Sequence, residues 1–321
     1  MKGSFLLLAG CVLTGMSGAA ASQAYPSKPV RLVVSTGPGP VPDLFARMLA
    51  PKLGESLGQP FVVENRDGAA GVIATEAVAR AAPDGYQVLV CTTAQLITVT
   101  FVQKNVPYDP LKDLTPIIAT VQPVEVLMAR TDVTGSLKDV LSQAKAAPGK
   151  ITIATAGPGS LYDLNAAALA MAAGVDLLAV PYKNPALAMQ AAMAREVDMA
   201  FGTAASGFRL AAGGKVRVVG IIEKQRFPGM PDVPTVAEIV PNFEKVPSWF
   251  AMMGPAGLPL PIRNRLNAEV AKSMKSPDVT GWMEQNGVAP IASTPEQVTE
   301  MIRSGREVVA RVVKQLKLTP Q

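Results

Sequence analysis

Apolar residues along the chain fall into two alternating patterns. Short unbroken apolar runs bounded by turn residues read as buried strands, and apolar positions three or four apart read as helices with one face in a core. Val30-Arg31-Leu32-Val33-Val34 is a run of the first kind. From Asp43 onward, Leu44, Phe45, Met48, Leu49, Leu53 and Leu57 recur with helical spacing. Phe61-Val62-Val63 predicts a second strand, small residues over 71–81 a second helix, and Val88-Leu89-Val90 a third strand. This β-α-β-α-β order predicts a parallel sheet with helices on its faces.

A second set follows Pro123. Residues 124–128 predict a strand, and Ser136-Leu137-Lys138-Asp139 is a capping box that opens a helix. Residues 151–154 predict a strand, and Ser160-Leu161-Tyr162-Asp163 opens an Ala-rich helix reaching about residue 173. Strands are expected near 177–180, 197–201, 216–222 and 249–253. Helices are expected over 261–275 and 277–286. A last helix begins at Thr294-Pro295-Glu296-Gln297, with Thr as cap, Pro in the first turn and Gln closing the box. Two α/β sets predict two lobes with a cleft between them. The expected division is 25–123 for the first lobe, 124–225 for the second, and 226–321 returning to complete the first. The length of 321 residues suits two domains of about 100–200 residues each.

Residues 1–24 stand apart. Lys2 is their only charge, residues 5–13 are apolar but too short to span a bilayer, and small residues follow. Ser22 and Ala24 suit the −3 and −1 positions of a cleavage site, so an exported chain starting at Tyr25 in the periplasm is expected. Leu8-Ala9-Gly10-Cys11 also resembles a lipobox, which makes a lipoprotein anchored at Cys11 the alternative. No later segment reaches the ~18 apolar residues of a membrane span.

Composition then removes whole classes of chemistry. The chain has no histidine, so it has no Ser-His-Asp or Cys-His pair and no imidazole metal ligand. Its two cysteines are too few for a zinc cage or an iron–sulfur cluster. Cleavage would leave Cys91 alone, in a strand-like run. The net charge of +5 is spread out, and only 5% of residues are aromatic, so no nucleic-acid footprint forms. No cofactor is called for, and a monomer is expected.

Two Gly/Pro-rich loops each follow a strand and precede a helix: Ser35-Thr36-Gly37-Pro38-Gly39-Pro40-Val41-Pro42-Asp43 and Thr155-Ala156-Gly157-Pro158-Gly159-Ser160. Glycine lets backbone N–H groups approach a ligand, and the helix N-terminus carries partial positive charge, so such a loop suits a carboxylate or phosphate. The plainer reading is that the glycines turn the chain while Asp43 and Ser160 cap helices. Neither loop has G-x-G-x-x-G or a Walker lysine. One matching loop per lobe favours a two-sided anion clamp.

Further segments stand along the chain in a fixed order: Tyr25-Pro26-Ser27-Lys28-Pro29, Leu53-Gly54-Glu55-Ser56-Leu57-Gly58-Gln59-Pro60, Val63-Glu64-Asn65-Arg66 and Ala81-Ala82-Pro83-Asp84-Gly85-Tyr86. Pro107-Tyr108-Asp109-Pro110-Leu111-Lys112-Asp113, Val180-Pro181-Tyr182-Lys183 and Pro231-Asp232-Val233-Pro234-Thr235-Val236-Ala237-Glu238 follow. In these segments the chain resembles the solute receptors of tripartite tricarboxylate transporters, the Bug or TctC-type family. The resemblance implies a type II periplasmic-binding-protein fold, a small organic acid as ligand, and membrane permease subunits as partners. It implies a site built from Thr36, Gly37, Gly39, Pro40 and Asp43 in the first loop. Thr92 and Thr93 after the third strand, with Ala156, Gly157, Gly159, Ser160, Tyr162 and Asp163 in the second loop and its helix, complete it with Gly202 and Thr203.

This sequence departs from the family pattern at the cleft. Pro40 stands where the family has a second glycine and removes a donor. Asp163 stands where the family often has His, and Gly202 where it often has Asp. A negative charge at Asp163 predicts a ligand that brings a donor group or a ring to that end, with Tyr162 as its wall. The rival class is an exported enzyme, which without His would need a Ser-Lys arrangement or a carboxylate pair such as Asp43 and Asp163. A receptor reporting to a membrane sensor kinase would share the same fold.

Overall fold

The apolar runs become the interiors of two sheets. The computed structural model describes residues 25–133, 135–227 and 229–320. The expected signal segment, the cleavage expected near Ala24 and the alternative at Cys11 lie outside the described residues. The strands are β1 (Val30–Val34), β2 (Phe61–Asn65), β3 (Gln87–Thr92), β4 (Leu114–Ala119), β5 (Val121–Pro123), β6 (Glu125–Arg130), β7 (Thr152–Thr155), β8 (Leu178–Pro181), β9 (Met199–Thr203), β10 (Val216–Ile221), β11 (Phe250–Pro255) and β12 (Val288–Pro290).

The first sheet runs β2-β1-β3-β11-β4, and the second β10-β6-β9-β7-β8. β5 and β12 form a small antiparallel pair. The expected parallel sheet is present as β2-β1-β3. Both five-stranded sheets are mixed, however. β11 enters the first antiparallel to β3 and β4, and β6 enters the second antiparallel to β9 and β10. The chain therefore leaves the first sheet between Ala119 and Glu125 and returns to it between Ile221 and Phe250.

Local sequence explains the elements that place the loops. In helix Val41–Leu57, Phe45, Leu49 and Leu53 are four residues apart and fully buried against the first sheet. Each such burial contributes about 1.5–3 kcal/mol. In helix Leu161–Ala173, Ser160 Oγ accepts the Asp163 N–H, and Gly174 ends the helix in the left-handed region. Helix Pro295–Gln315 starts with the expected Thr294/Gln297 box. It buries Val298, Ile302, Gly305, Val309 and Val312 and packs against both β4 and helix Leu161–Ala173. One core cluster accordingly contains Val33 and Leu89 of the first sheet together with Leu127 and Phe201 of the second.

Candidate functional site

β1, β3, β7 and β9 place the candidate residues at the carboxyl ends of parallel neighbours, where open α/β sheets bind ligands. Pro40 is the N-cap of helix Val41–Leu57 and offers no side-chain cap. Asp43 takes over that task. Its carboxylate accepts the Gly39 N–H at 2.9 Å, Asn65 Nδ2 at 2.8 Å and Arg47 Nε at 3.0 Å. Asn65 also donates to the Thr36 carbonyl at 3.0 Å and so ties β2 to the loop. Asp43 is 1% exposed. Burial by itself pushes its pKa up, but the bonds from Arg47, Gly39 and Asn65 outweigh burial and hold it below the ordinary value.

The second loop repeats the geometry with fewer partners. Asp163 Oδ2 accepts the Gly159 N–H at 2.9 Å, and the Asp163 N–H returns to Ser160 Oγ at 3.2 Å. Asp163 is half-buried and has no salt bridge among the described residues. Burial raises its pKa, and the Gly159 bond offsets only part of that.

These bonds correct one expectation. The Gly39 and Gly159 N–H groups do not point to a ligand, because each loop's own carboxylate takes them. Ser35 N–H pairs with Val90, Asp43 N–H with Pro40, and Pro38, Pro40 and Pro42 have no N–H. That leaves Thr36, Gly37 and Val41 as the first loop's uncommitted backbone donors among the described hydrogen bonds. In the second loop Ser160 N–H returns to Gly157, which leaves Ala156, Gly157, Leu161 and Tyr162 among the described hydrogen bonds. The buried hydroxyls of Thr36 and Thr155 have no hydrogen-bond partner among the described residues. The left-handed backbone at Gly39 (φ 105°) and Gly159 (φ 73°) explains why glycine stands at both turns.

Other expected residues have internal tasks. Thr92 donates through N and Oγ1 to Gln95 Oε1, at 2.8 and 3.0 Å, and Thr93 Oγ1 donates to the Pro247 carbonyl at 2.9 Å. Tyr162 is 8% exposed, with its ring 5.7 Å from that of Phe201, so core packing accounts for it and the expected ligand wall is not exposed. At Gly202 a Cβ would lie 2.7 Å from Met128 Cε, so close packing accounts for that glycine. Thr203 caps helix Ala204–Ala212. Ala156 packs against the shared core.

Sequence reasoning missed Gln95. It is 3% exposed and joins three segments of the first unit: Oε1 accepts from Ser35 Oγ at 3.2 Å and from Thr92, and Nε2 donates to the Ala70 carbonyl at 2.6 Å. A polar Gln three residues past the end of β3, just before the apolar Leu96-Ile97, was the available signal. The segment that follows carries Val102 to within 3.4 Å of a Cβ placed on Gly159, so it meets the second loop. Cys91 is fully buried, and burial pushes its thiol up, so it is a packing residue rather than a nucleophile. No helix among the described residues is long and apolar enough to cross a membrane.

The family model of the tripartite tricarboxylate transporter family receptor, TctC, matches residues 45–318. A protein of Pseudomonas sp. strain P51, from the tcbD-tcbE intergenic region, is 34% identical over 320 residues, covering 97% of this chain and 94% of its own length. Among solved structures, a Rhodopseudomonas palustris protein with adipate is 29% identical with a TM-score of 0.77, covering 92% of this chain and 100% of that one. The periplasmic binding protein BugD is 31% identical with a TM-score of 0.72, with the same coverage.

Proposed function

Since the chain belongs to the TctC family of tripartite tricarboxylate transporter receptors, we propose that it captures a small organic carboxylate between its two sheets and delivers it to membrane subunits of such a transporter. The observation that carries this reading is the pair of strand–glycine turn–helix units, one in each sheet. Each presents uncommitted N–H groups at a helix N-terminus beside an unpartnered threonine hydroxyl. The R. palustris relative with adipate supports the carboxylate class. In this reading the lobes are 25–123 with 226–321, and 124–225. Residues 1–24 are removed near Ala24 on export to the periplasm, which intact mass of the exported protein tests.

The two loops differ in charge, and that difference narrows the ligand. Asp43 is neutralised by Arg47, whereas Asp163 has only the Gly159 N–H. A carboxylate belongs with the Thr36 and Gly37 donors. The far end of the ligand, near Asp163, gains from a hydroxyl, amide or ammonium donor through a charge-assisted bond. Calorimetry of the purified mature chain with adipate, succinate, citrate, an amino acid and an aromatic acid tests both statements. A monocarboxylate bearing a donor should bind more tightly than adipate, and Asp163→Asn should narrow that gap about tenfold. Absence of binding by every carboxylate would overturn the function. Tight succinate or citrate binding unaffected by Asp163→Asn would overturn only the ligand class.

A further inference from the structure

Two stretches of chain connect the sheets, one between Ala119 and Glu125 and one between Ile221 and Phe250. Beside them lies a cavity of about 620 Å³, within the range of about 300–1,000 Å³ that suits a small organic ligand. Its walls come from both crossings and from helix Pro295–Gln315. No residue of either glycine turn lines it, so it is separate from the candidate carboxylate site. Phe227, Phe243, Trp249 and Met301 give it an aromatic and apolar lining, and the exposed Lys224, Glu244 and Ser304 stand at its mouth.

The charges on its inner side do not balance. Glu223 and Lys245 line the cavity with side chains only 12% and 15% exposed, and Lys245 donates to Glu223 Oε1. The same oxygen accepts the Glu125 N–H at 3.2 Å, whereas Glu223 Oε2 takes part in none of the described hydrogen bonds. Behind Ser248 and Lys245 lies the Glu125 side chain, 2% exposed. Its Oε1 accepts from Ser248 Oγ at 3.1 Å. Its Oε2 has no hydrogen-bond partner among the described residues and lies 3.8 Å from Lys245 Nζ. Two buried carboxylates thus share one ammonium. The outer charges do not correct this. Arg226 is held by Glu238, Glu244 is held by Arg311, and solvent screens the exposed Lys224.

We propose that this cavity is a second binding site, for an organic ammonium ion carrying an aromatic or apolar body. Its ammonium donates to Glu223 Oε2 and gives the two carboxylates a second cation, through a charge-assisted bond in a largely dry site. Its body covers Phe243, Trp249 and Met301, and the aromatic faces attract the cation. An anion of the same shape would place a third negative charge around Lys245. Glu125 registers the same shortage of positive charge. Burial is the largest effect on its carboxyl and raises its pKa; Lys245 lowers it, Glu223 raises it and Ser248 lowers it, leaving it at about 7 against 4.5. A proton on Glu125 supplies the positive charge while no organic cation is bound.

The cavity carries its own reporter. The sequence has two tryptophans, and Trp282 packs against Phe45 in a different core cluster, so Trp282→Phe leaves Trp249 as the only indole. In this background the mature chain is titrated at neutral pH with phenethylamine, with its uncharged analogue phenethyl alcohol and with the anion hydrocinnamate, and Trp249 fluorescence is followed. Phenethylamine should give a saturable change at a concentration about tenfold lower than phenethyl alcohol, with hydrocinnamate weakest. Glu223→Gln keeps an acceptor for the Glu125 N–H but removes the charge, and should reduce the preference for the amine about tenfold. Ser304→Phe, at an exposed position on the cavity wall, should fill the space and abolish binding, and it keeps the test decisive if Glu223→Gln does not fold. The proposal is overturned if phenethylamine gives no saturable change, or if hydrocinnamate binds as tightly. Undiminished amine binding in Ser304→Phe places the amine elsewhere and overturns it as well, as does an undiminished preference for the amine in folded Glu223→Gln.

Discussion

Asp43 and Asp163 each occupy the third position of a helix and each accept, at 2.9 Å, the N–H of the glycine four residues earlier. Around this shared bond the surroundings diverge. Asp43 gains Arg47 and Asn65 and is 1% exposed, whereas Asp163 gains no cation among the described residues and stays half-buried. Their pKa values accordingly move in opposite directions. One carboxylate is a structural strut. The other keeps a charge that its own unit does not neutralise. Equal backbone geometry therefore does not imply equal chemistry; the neighbours from other strands decide it.

Substitutions test the contrast. Asp43→Ala removes the acceptor for three donors and should cost about 2–4 kcal/mol in urea unfolding, because hydrogen bonds to a buried charge are worth about 1.5–3 kcal/mol each and Arg47 can turn to solvent. A loss no larger than that of Asp163→Ala would break the contrast. Gly39→Ala should cost about 1–3 kcal/mol from backbone strain alone, since an added Cβ meets nothing within 4 Å. Ser160→Ala should cost about 1 kcal/mol as a lost cap. Pro40→Ala should cost less, because Pro40 makes no side-chain cap bond.

Asp163→Asn should alter stability at pH 7 by about 1 kcal/mol or less, with a pH dependence opposite to that of Asp43→Asn. The folded pKa of Asp43 is depressed, so its contribution is present above its unfolded pKa and is lost as pH falls through the folded value. The folded pKa of Asp163 is raised, so wild type loses ground to Asp163→Asn as pH rises from the unfolded to the folded value. Urea midpoints of both variants against wild type, from about pH 3 to about pH 7, distinguish the two signs.

Much of the scaffold was legible because its signals are local. The capping boxes at Ser136 and Thr294 and the apolar run at 30–34 appear in the structure where the sequence predicts them. β4 was missed because Pro116 interrupts its pattern; the structure tolerates the proline because β4 is an edge strand with one side unpaired. Helices Pro185–Met193 and Ala204–Ala212 were missed because small apolar residues dilute the polar face that reveals a helix. In the site, the two glycine turns were legible. The capture of Gly39 and Gly159 by the loops' own carboxylates was not, and neither was the role of Gln95.

By itself, the sequence determined the alternating elements, the two turns and the absence of imidazole chemistry, because periodicity, caps, glycine and composition act within a few residues or need no geometry at all. Tertiary structure alone decided which charges are neutralised. Arg47 reaches Asp43 within one helix, but Asn65 arrives from β2, Ser248 reaches Glu125 from 123 positions away, and Lys245 is shared between two carboxylates. Desolvation and Coulomb energy depend on distance and burial in space, and neither is written into spacing along the chain.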